Sequence, residues 1–326
     1  MRSEAKTGRE LAAFGALGMV LVVLAFGAPG FFEPTNLRDL LLDNSAVLIA
    51  AVGMTCVIVA REIDISIGSQ FAIAGVATGV LFKSGVPWLV VVPAVLLLGA
   101  VMGALNGALV AWGLPSIVVT LATMTALRQG LRWSTQGEDV LGLGAGFQWF
   151  GLGQGAGRVA IILVSLALFA LAAWALRNTA AGRAFYAVGT DAEAARLLGI
   201  PSHRVVFSAF LLLGVLASLA GVVQAVRFPQ VQTGAGMGLE LKVIAAVVVG
   251  GASVSGGRGS LWGTLAGVAL LGTIGPALTF LRVSAFWEEA LQGAIILAAV
   301  SLEGIRRPRG IESVRVRTRP GPESVR

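Results

Sequence analysis

The chain contains 326 residues, of which 56% are hydrophobic and only 13% are charged, with a net charge of +7. A soluble globular domain carries about 25% charged residues, so this chain has roughly half the charge needed to cover a water-facing surface. The composition therefore excludes a soluble domain and predicts an integral membrane protein. The single cysteine and single histidine also exclude a disulfide framework and a metal site built from these residues.

Ten apolar stretches follow one another along the chain. Because a helix needs about 20 apolar residues to cross the hydrocarbon core, we predict an all-α, polytopic membrane protein with about ten transmembrane segments. The segments are 11–28, 46–60, 65–82, 88–112, 116–131, 159–176, 205–226, 241–252, 261–281 and 286–302. The second, fifth and eighth are short for a complete span, which is typical of tilted, broken or re-entrant helices.

Basic residues predict the orientation of these segments. With ten crossings, 16 of the 24 Lys and Arg residues fall on the side that carries both termini, and such an excess marks the cytoplasm. The domain organisation is then a cytoplasmic N-terminus (1–10), a transmembrane domain (11–303) with a long cytoplasmic loop (177–204), and a basic tail (304–326). We expect the tail to be disordered, and either to contact anionic lipid headgroups or to act only as a topology anchor.

Glycines suggest how the helices pack. Two segments show the four-residue spacing that lets helix backbones approach closely in lipid. These glycines are Gly99, Gly103 and Gly107 in one segment and Gly263 and Gly267 in the other. Separately, Gly68–Ser69 and the apolar helix after it recur at Gly259–Ser260. This pattern indicates either an internal repeat of helical hairpins or a chance likeness in a chain rich in Gly and Ala.

The sequence contains no motif for catalysis or for nucleotide binding. None of the three lysines follows a glycine, so a phosphate-binding loop of the G-x-x-x-x-G-K-[ST] type is absent. Nothing in the sequence places a serine beside the one histidine, His203, to form a nucleophile and its base. A nucleic-acid groove would need a polar domain to hold it. We therefore expect neither an enzyme nor a nucleic-acid-binding protein, and no catalytic residue, metal or cofactor in this chain.

Polar residues within apolar sequence are the candidates for a transport path, because they are costly in hydrocarbon and face a cavity or a partner. The densest group is 61–70, which includes Asp64, Ser66 and Ser69. Two interpretations stay open. The group either lines a path between half-helices, or it forms an interfacial turn in which Arg61 pairs with Asp64, and Asp64 or Ser66 caps the next helix.

Three further polar positions lie elsewhere in the chain. Asn106 stands in the middle of an apolar segment, where it faces either a path or a hydrogen-bonding group on another helix. Gln224 and the Glu240/Lys242 pair are weaker candidates, because both lie near predicted segment ends where water is available.

The long cytoplasmic loop contains a short helix pattern at 191–199. Acidic residues begin it, Arg196 stands near its end and Gly199 follows as a stop. An apolar stripe consists of Ala194, Leu197 and Leu198. Because about ten residues do not form a stable helix alone, this helix docks either on its own bundle or on a partner.

Four motifs resemble those of the permease subunits of bacterial ABC sugar importers, in the order of that family. Glu193-Ala194-Ala195 with Gly199 resembles the "EAA…G" signature. Residues 61–75 resemble the "GGIDLSVGS…ALAG" stretch of ribose, xylose and arabinose permeases, 106–123 their "NG…P.FIVTLGT", and 244–259 their "IAAVVIGGTSLSGGRGS". Departures at Arg61-Glu62 and at 137–157 are most similar to the rhamnose or autoinducer-2 branch, which leaves the identity of the sugar open.

The resemblance implies a subunit of the bacterial cytoplasmic (inner) membrane that pairs with a second permease subunit, as a homo- or heterodimer. It would receive a monosaccharide from a periplasmic binding protein and be powered by cytoplasmic ATPase subunits that bind ATP. The helix 191–199 would couple to the ATPase. The residues carried over to this role are Asp191, Glu193, Ala194, Ala195, Arg196, Leu197 and Gly199. The Asp64 and Asn106 regions would lie near the path, and the scarcity of charge in the segments suits a neutral sugar.

The alternative is a self-sufficient secondary transporter or channel for a small polar solute. Ion-coupled transport normally needs a carboxylate within the membrane. In this sequence only Glu62 and Asp64 could serve.

Overall fold

The structure is a computed structural model that describes residues 2–144, 146–284 and 286–305. In this part of the chain the secondary structure is helical, with one isolated bridge between Val140 and Val231, which confirms the predicted all-α fold. The helices are α1 Arg2–Gly27, α2 Pro34–Val59, α3 Ile67–Lys83, α4 Trp88–Ala111, α5 Ser116–Thr135, α6 Gln154–Asn178, α7 Ala180–Thr190, α8 Ala192–Leu197, α9 Ser202–Ala225, α10 Leu239–Val249, α11 Leu261–Phe280 and α12 Trp287–Ile305. The predicted tail lies almost entirely outside the described residues.

Five of the described helices are long and apolar enough to cross a membrane by length and composition: α2, α4, α6, α9 and α11. Two shorter apolar helices, Leu11–Gly27 within α1 and Ile67–Lys83, add to these. The second predicted segment, 46–60, is shorter than the helix that contains it. It is the apolar part of the 26-residue α2, which begins earlier because Pro34 stands at its first turn, where proline is tolerated.

Helices α2 and α9 form the centre of the bundle. From Ser45 to Val59 every residue of α2 is buried, because α9, α6, α10 and α11 surround it. A helix that is apolar on all sides belongs in such a position. Helix α9 in turn packs on α2, α3 and α4.

Glycines bring α4 and α9 together. Gly99, Gly103 and Gly107 face α9, and a Cβ added at Gly214 of α9 would lie 2.8 Å from the Cα of Gly103. The close approach therefore depends on glycines in both helices. The four-residue spacing in the sequence predicts only the glycines of α4. Helices α10 and α11 meet in the same way, with Gly267 against the Ala246 carbonyl.

The connections between helices gather at two ends of the bundle. The Gly257 N–H donates to the Val59 carbonyl at 2.8 Å, and this places the α2–α3 connection (60–66), α7, α8 and residues 250–260 at one end, which we call the α8 end. Residues 136–144, 146–153 and 226–238 lie at the opposite end, where the Val140 N–H donates to the Val231 carbonyl at 2.9 Å.

Helix α10 does not extend from one end to the other. Its 11 residues span about 16 Å at 1.5 Å per residue. The connection before it turns into the bundle, so that Gly236 packs against the backbone of Gly68 in the first turn of α3. Arg128 of α5 holds this connection by donating to the Ala235 carbonyl at 2.8 Å. The eighth predicted segment is therefore a short helix entered from within the bundle.

Candidate functional site

The short helix predicted over 191–199 forms as α8, Ala192–Leu197. Asp191 caps its start, because its carboxylate accepts hydrogen bonds from the N–H groups of Glu193 and Ala194, both at 3.0 Å. Gly199 has φ +81°, and the Ile200 N–H donates back to the Ala195 carbonyl at 3.0 Å, which ends the helix as a glycine C-cap does.

One face of α8 has no partner among the described residues. Ala195 is buried against the bundle, whereas Leu197 and Leu198 are 77% and 82% exposed. Ala194, the third position of the predicted apolar stripe, is exposed as well. The stripe therefore points away from the bundle, and of the two docking sites considered from the sequence, the helix's own bundle does not receive it.

A fixed ion pair lies beside this apolar face. Arg196 donates to the two carboxylate oxygens of Glu193, with its Nη2 2.6 Å from Oε1 and its Nε 3.1 Å from Oε2. This hydrogen bonding from Arg196 holds the pKa of the Glu193 carboxyl below its ordinary value. Both side chains are exposed, so α8 presents two leucines and a bidentate ion pair to solvent.

Helix α7 connects α8 to the breaks between the central helices. Thr179 caps α7 by accepting the Gly182 N–H at 3.0 Å. At the other end of α7, Gly189 packs directly on the Val59 carbonyl and on the Gly257 N–H. The Tyr186 hydroxyl donates to the Gly259 carbonyl at 3.1 Å. Helix α7 is therefore in contact with the end of α2 and with residues 257–259, just before α11.

A buried polar network occupies the connection between α2 and α3. The Asp64 carboxylate accepts from the Ser66 hydroxyl at 2.6 Å, the Ser66 N–H at 2.8 Å and the Gln70 amide at 3.2 Å. Asn106 of α4 donates to the Ser66 hydroxyl at 2.8 Å and to Asp64 at 3.4 Å. Asp64, Ser66 and Gln70 are fully buried and Asn106 is 1% exposed. Two amide oxygens, those of Gln70 and Asn106, have no hydrogen-bond partner in the described structure.

This network corrects two predictions about the group 61–70. Arg61 is exposed, whereas Asp64 is bound by the donors above, so the predicted Arg61–Asp64 pair does not form between these two described residues. Ser66 stands at the start of α3 without a side-chain cap, because its hydroxyl donates to Asp64. The Asp64 carboxylate instead accepts the Ser66 N–H.

Asn106, predicted in the middle of a segment, lies in the last two turns of α4.

The five path candidates do not all come together. Asp64, Ser66 and Asn106 share the network, while the buried Ser69 hydroxyl donates to the Met124 carbonyl of α5 at 2.9 Å. Gln224 lies in the last turn of α9 at the opposite end. Our sequence prediction missed Gln70 as a separate candidate, although its position four residues after Ser66 placed it on the same helix face.

Glu240 and Lys242 lie in the first turn of α10 and are half-buried. Glu240 packs against Gly68, and its Oε2 is buried and has no hydrogen-bond partner among the described residues. Lys242 lies 3.8 Å from the Glu288 carboxylate of α12. Within the described residues no group of His, Cys, Asp and Glu side chains is arranged to hold a metal ion.

The chain matches a family model described as "Branched-chain amino acid transport system / permease component" over residues 36–300. The ribose import permease protein of Escherichia coli (strain K12) is 37% identical over 296 residues, which cover 88% of this chain and 91% of that protein. The autoinducer 2 import system permease protein of Shigella flexneri is 37% identical over 292 residues, with 88% of this chain and 85% of that protein covered. No solved structure matches the chain.

These matches cover the buried network, α7, α8 and the breaks at residues 60–66 and 250–260. They confirm the resemblance to import permeases that the four motifs indicate. The chain belongs to the family of permease components that this model describes, and it is a multi-pass membrane protein.

Proposed function

We propose that this chain is the transmembrane permease subunit of an ABC importer that carries a monosaccharide, while separate subunits hydrolyse ATP. The relatives that import ribose and autoinducer 2 support the class of solute. The observation that carries the proposal is the outward-facing apolar face of α8, where Leu197 and Leu198 are 77% and 82% exposed.

A six-residue helix is too short to be stable without docking, and its apolar side faces away from its own bundle. An ATPase subunit with an apolar groove would cover the two leucines, and the Glu193–Arg196 pair at its edge would set orientation more than affinity. The coupling residues are then Asp191 and Gly199, which shape the helix, Ala195, which seats it, and Ala194, Glu193, Arg196 and Leu197, which contact the partner.

Movement of the ATPase subunits would be transmitted to the helix bundle through α7. The backbone contacts of Gly189 with Val59 and Gly257 leave no space for α7 to move without the end of α2 or the start of α11. Packed elements of this kind shift as rigid bodies between discrete arrangements. ATP itself would be bound by the partner, and we expect no cofactor in this chain.

We propose that ten helices enter or cross the membrane: α1 to α6, α9, α10, α11 and α12. The α8 end would face the cytoplasm together with both termini, since the excess of basic residues lies on that side. Helix α10 would enter only part of the bilayer from the connection 226–238. The protein would lie in the inner membrane, with the binding protein docking at the opposite end.

The buried network would stand beside the translocation path. Asp64 receives several hydrogen bonds from Ser66, Gln70 and Asn106, so its carboxylate is satisfied within the protein. A carboxylate that carries protons or sodium has to be reached from solution, and Asp64 has no exposed surface. The network therefore favours hydrogen bonding near a neutral solute over ion coupling.

A second permease subunit would cover α5. This helix is exposed along one side but carries polar groups there, among them Thr125, Gln129 and Arg132. Such groups are costly against lipid tails, and a partner or an aqueous path between two subunits satisfies them. Lipids would cover the remaining apolar surface.

The test is uptake into proteoliposomes that contain this chain, its binding protein and its ATPase. We expect uptake of a monosaccharide, with D-ribose tested first, that requires ATP and the ATPase subunit. Uptake that persists without the ATPase and follows a proton or sodium gradient would establish the secondary transporter instead.

A further inference from the structure

A cavity of about 430 Å³ lies between α3, α9 and the connection 226–238. Its volume is within the range of about 300–1,000 Å³ that is usual for small-molecule sites. The side chains that line it include Phe71, Gln224, Phe228, Gln230 and Gln232. Phe228, Gln230 and Gln232 are exposed, so the mouth of the cavity is at the end opposite α8.

The glutamines supply unused hydrogen-bonding groups. The Gln224 amide oxygen accepts from Arg227 at 3.0 Å, and its amide nitrogen has no partner among the described residues. Gln230 and Gln232 form no side-chain hydrogen bond within the described structure. Carboxamides both donate and accept, which matches the hydroxyl groups of a polyol.

The remaining lining fits the same class of ligand. Phe71 and Phe228 present aromatic rings, and the other lining residues are small or apolar, with no charged side chain among them. Rings of this kind pack on the C–H face of a sugar while amides bind its hydroxyls. A charged solute would find no counter-charge on these walls.

The inner wall of the cavity lies beside the buried network. Phe71 follows Gln70 directly in α3, and Gln70 donates to Asp64. Gly236, which belongs to the connection that walls the cavity, packs against the first turn of α3. The inner wall of the cavity at Phe71 is therefore next in the chain to a residue of the network, whereas Gln230 and Gln232 lie at the mouth.

We propose that this cavity is a binding site for a neutral monosaccharide on its way from the mouth to the network. The inference rests on the proposed function, and it assigns the site to one chain, with Gln224, Gln230 and Gln232 as hydrogen-bonding groups and Phe228 as the stacking ring.

The test uses the single cysteine of the chain. Cys56 is buried in α2, so a Cys56→Ala background leaves no thiol. Gln230→Cys is then introduced into the reconstituted complex and labelled with a membrane-impermeant methanethiosulfonate. The labelling rate is measured with D-ribose, L-rhamnose, D-xylose and L-arabinose in turn. Ser84→Cys, exposed at the same end but outside the cavity, is the matched control.

We expect the transported sugar to slow labelling of Gln230→Cys about threefold at about twice its Kd, by mass action, and to leave labelling of Ser84→Cys unchanged. A sugar that is transported but protects neither position overturns the cavity site and leaves the importer standing. If none of the four sugars is transported yet one protects Gln230→Cys, the site stands and the proposed function fails. If none is transported and none protects, both fail.

Discussion

The contact between α7 and the ends of the central helices can be tested at a single atom. A Cβ added at Gly189 would overlap the Val59 carbonyl oxygen and lie 2.6 Å from the Gly257 nitrogen and 2.9 Å from the Val59 carbonyl carbon. All three are backbone atoms, which cannot turn aside as the end of a flexible side chain does. Gly189→Ala therefore forces the end of α7 away from the bundle.

The cost follows from that geometry. Overpacking in a well-packed contact costs about 1–3 kcal/mol, and loss of the 2.8 Å Gly257–Val59 hydrogen bond beside it adds about 1 kcal/mol. We expect a loss of roughly 2–4 kcal/mol of stability and a lower unfolding temperature in detergent. If α7 transmits movement from the ATPase, ATP-dependent uptake falls further than the loss of folded protein explains.

The assay pairs a thermal unfolding curve with uptake normalised to folded protein in the same proteoliposomes. Gly155→Ala is the control, since a Cβ there meets nothing within 4 Å and alanine is favoured in a helix. Unfolding temperature and uptake equal to the wild type in Gly189→Ala would refute the close seating of α7 on the bundle.

Three further substitutions test separate parts of the structure. Leu198→Asp, on the exposed face of α8, should leave the unfolding temperature unchanged, weaken ATPase binding in a pull-down and abolish uptake. The control Leu152→Asp, at the opposite end, should permit ATPase binding. Equal binding by both variants would contradict the coupling role. Asn106→Ala removes donors from Ser66 and Asp64 and should cost about 1–3 kcal/mol, and wild-type stability would show that the network does not depend on it. Gly214→Ala should separate α4 from α9 and lower the unfolding temperature, and a gain in stability would contradict their close packing.

Several features of the fold and the site could be predicted from the sequence because they depend on neighbours in the chain. The α8 pattern, with Asp191 before it and Gly199 after it, uses local hydrogen bonds and a local φ angle, and it forms where expected. The break at 60–66 follows from charges that interrupt two apolar runs. Asn106 was found because an amide inside an apolar helix is costly wherever that helix lies.

Other features depend on how helices are rotated and how deep they begin, and periodicity carries little of this information. Gln70 was missed because its role needs Asn106 of α4 brought to Asp64 in the α2–α3 connection. The sequence places Glu240 near the end of a segment but does not show that it packs against the first turn of α3. Only the packing of Gly236 on Gly68 shows that this helix starts inside the bundle.

Composition and spacing alone determined that this is an all-α membrane protein with a short helix between two of its segments, because burial in lipid and helix capping act on each segment separately. The tertiary structure decided which way that helix faces, which polar residues meet at Asp64, and that Gln224 lines a cavity far from them. Those outcomes depend on the rotation and depth of several helices relative to one another, which close backbone contacts at glycines help to set, as between α4 and α9.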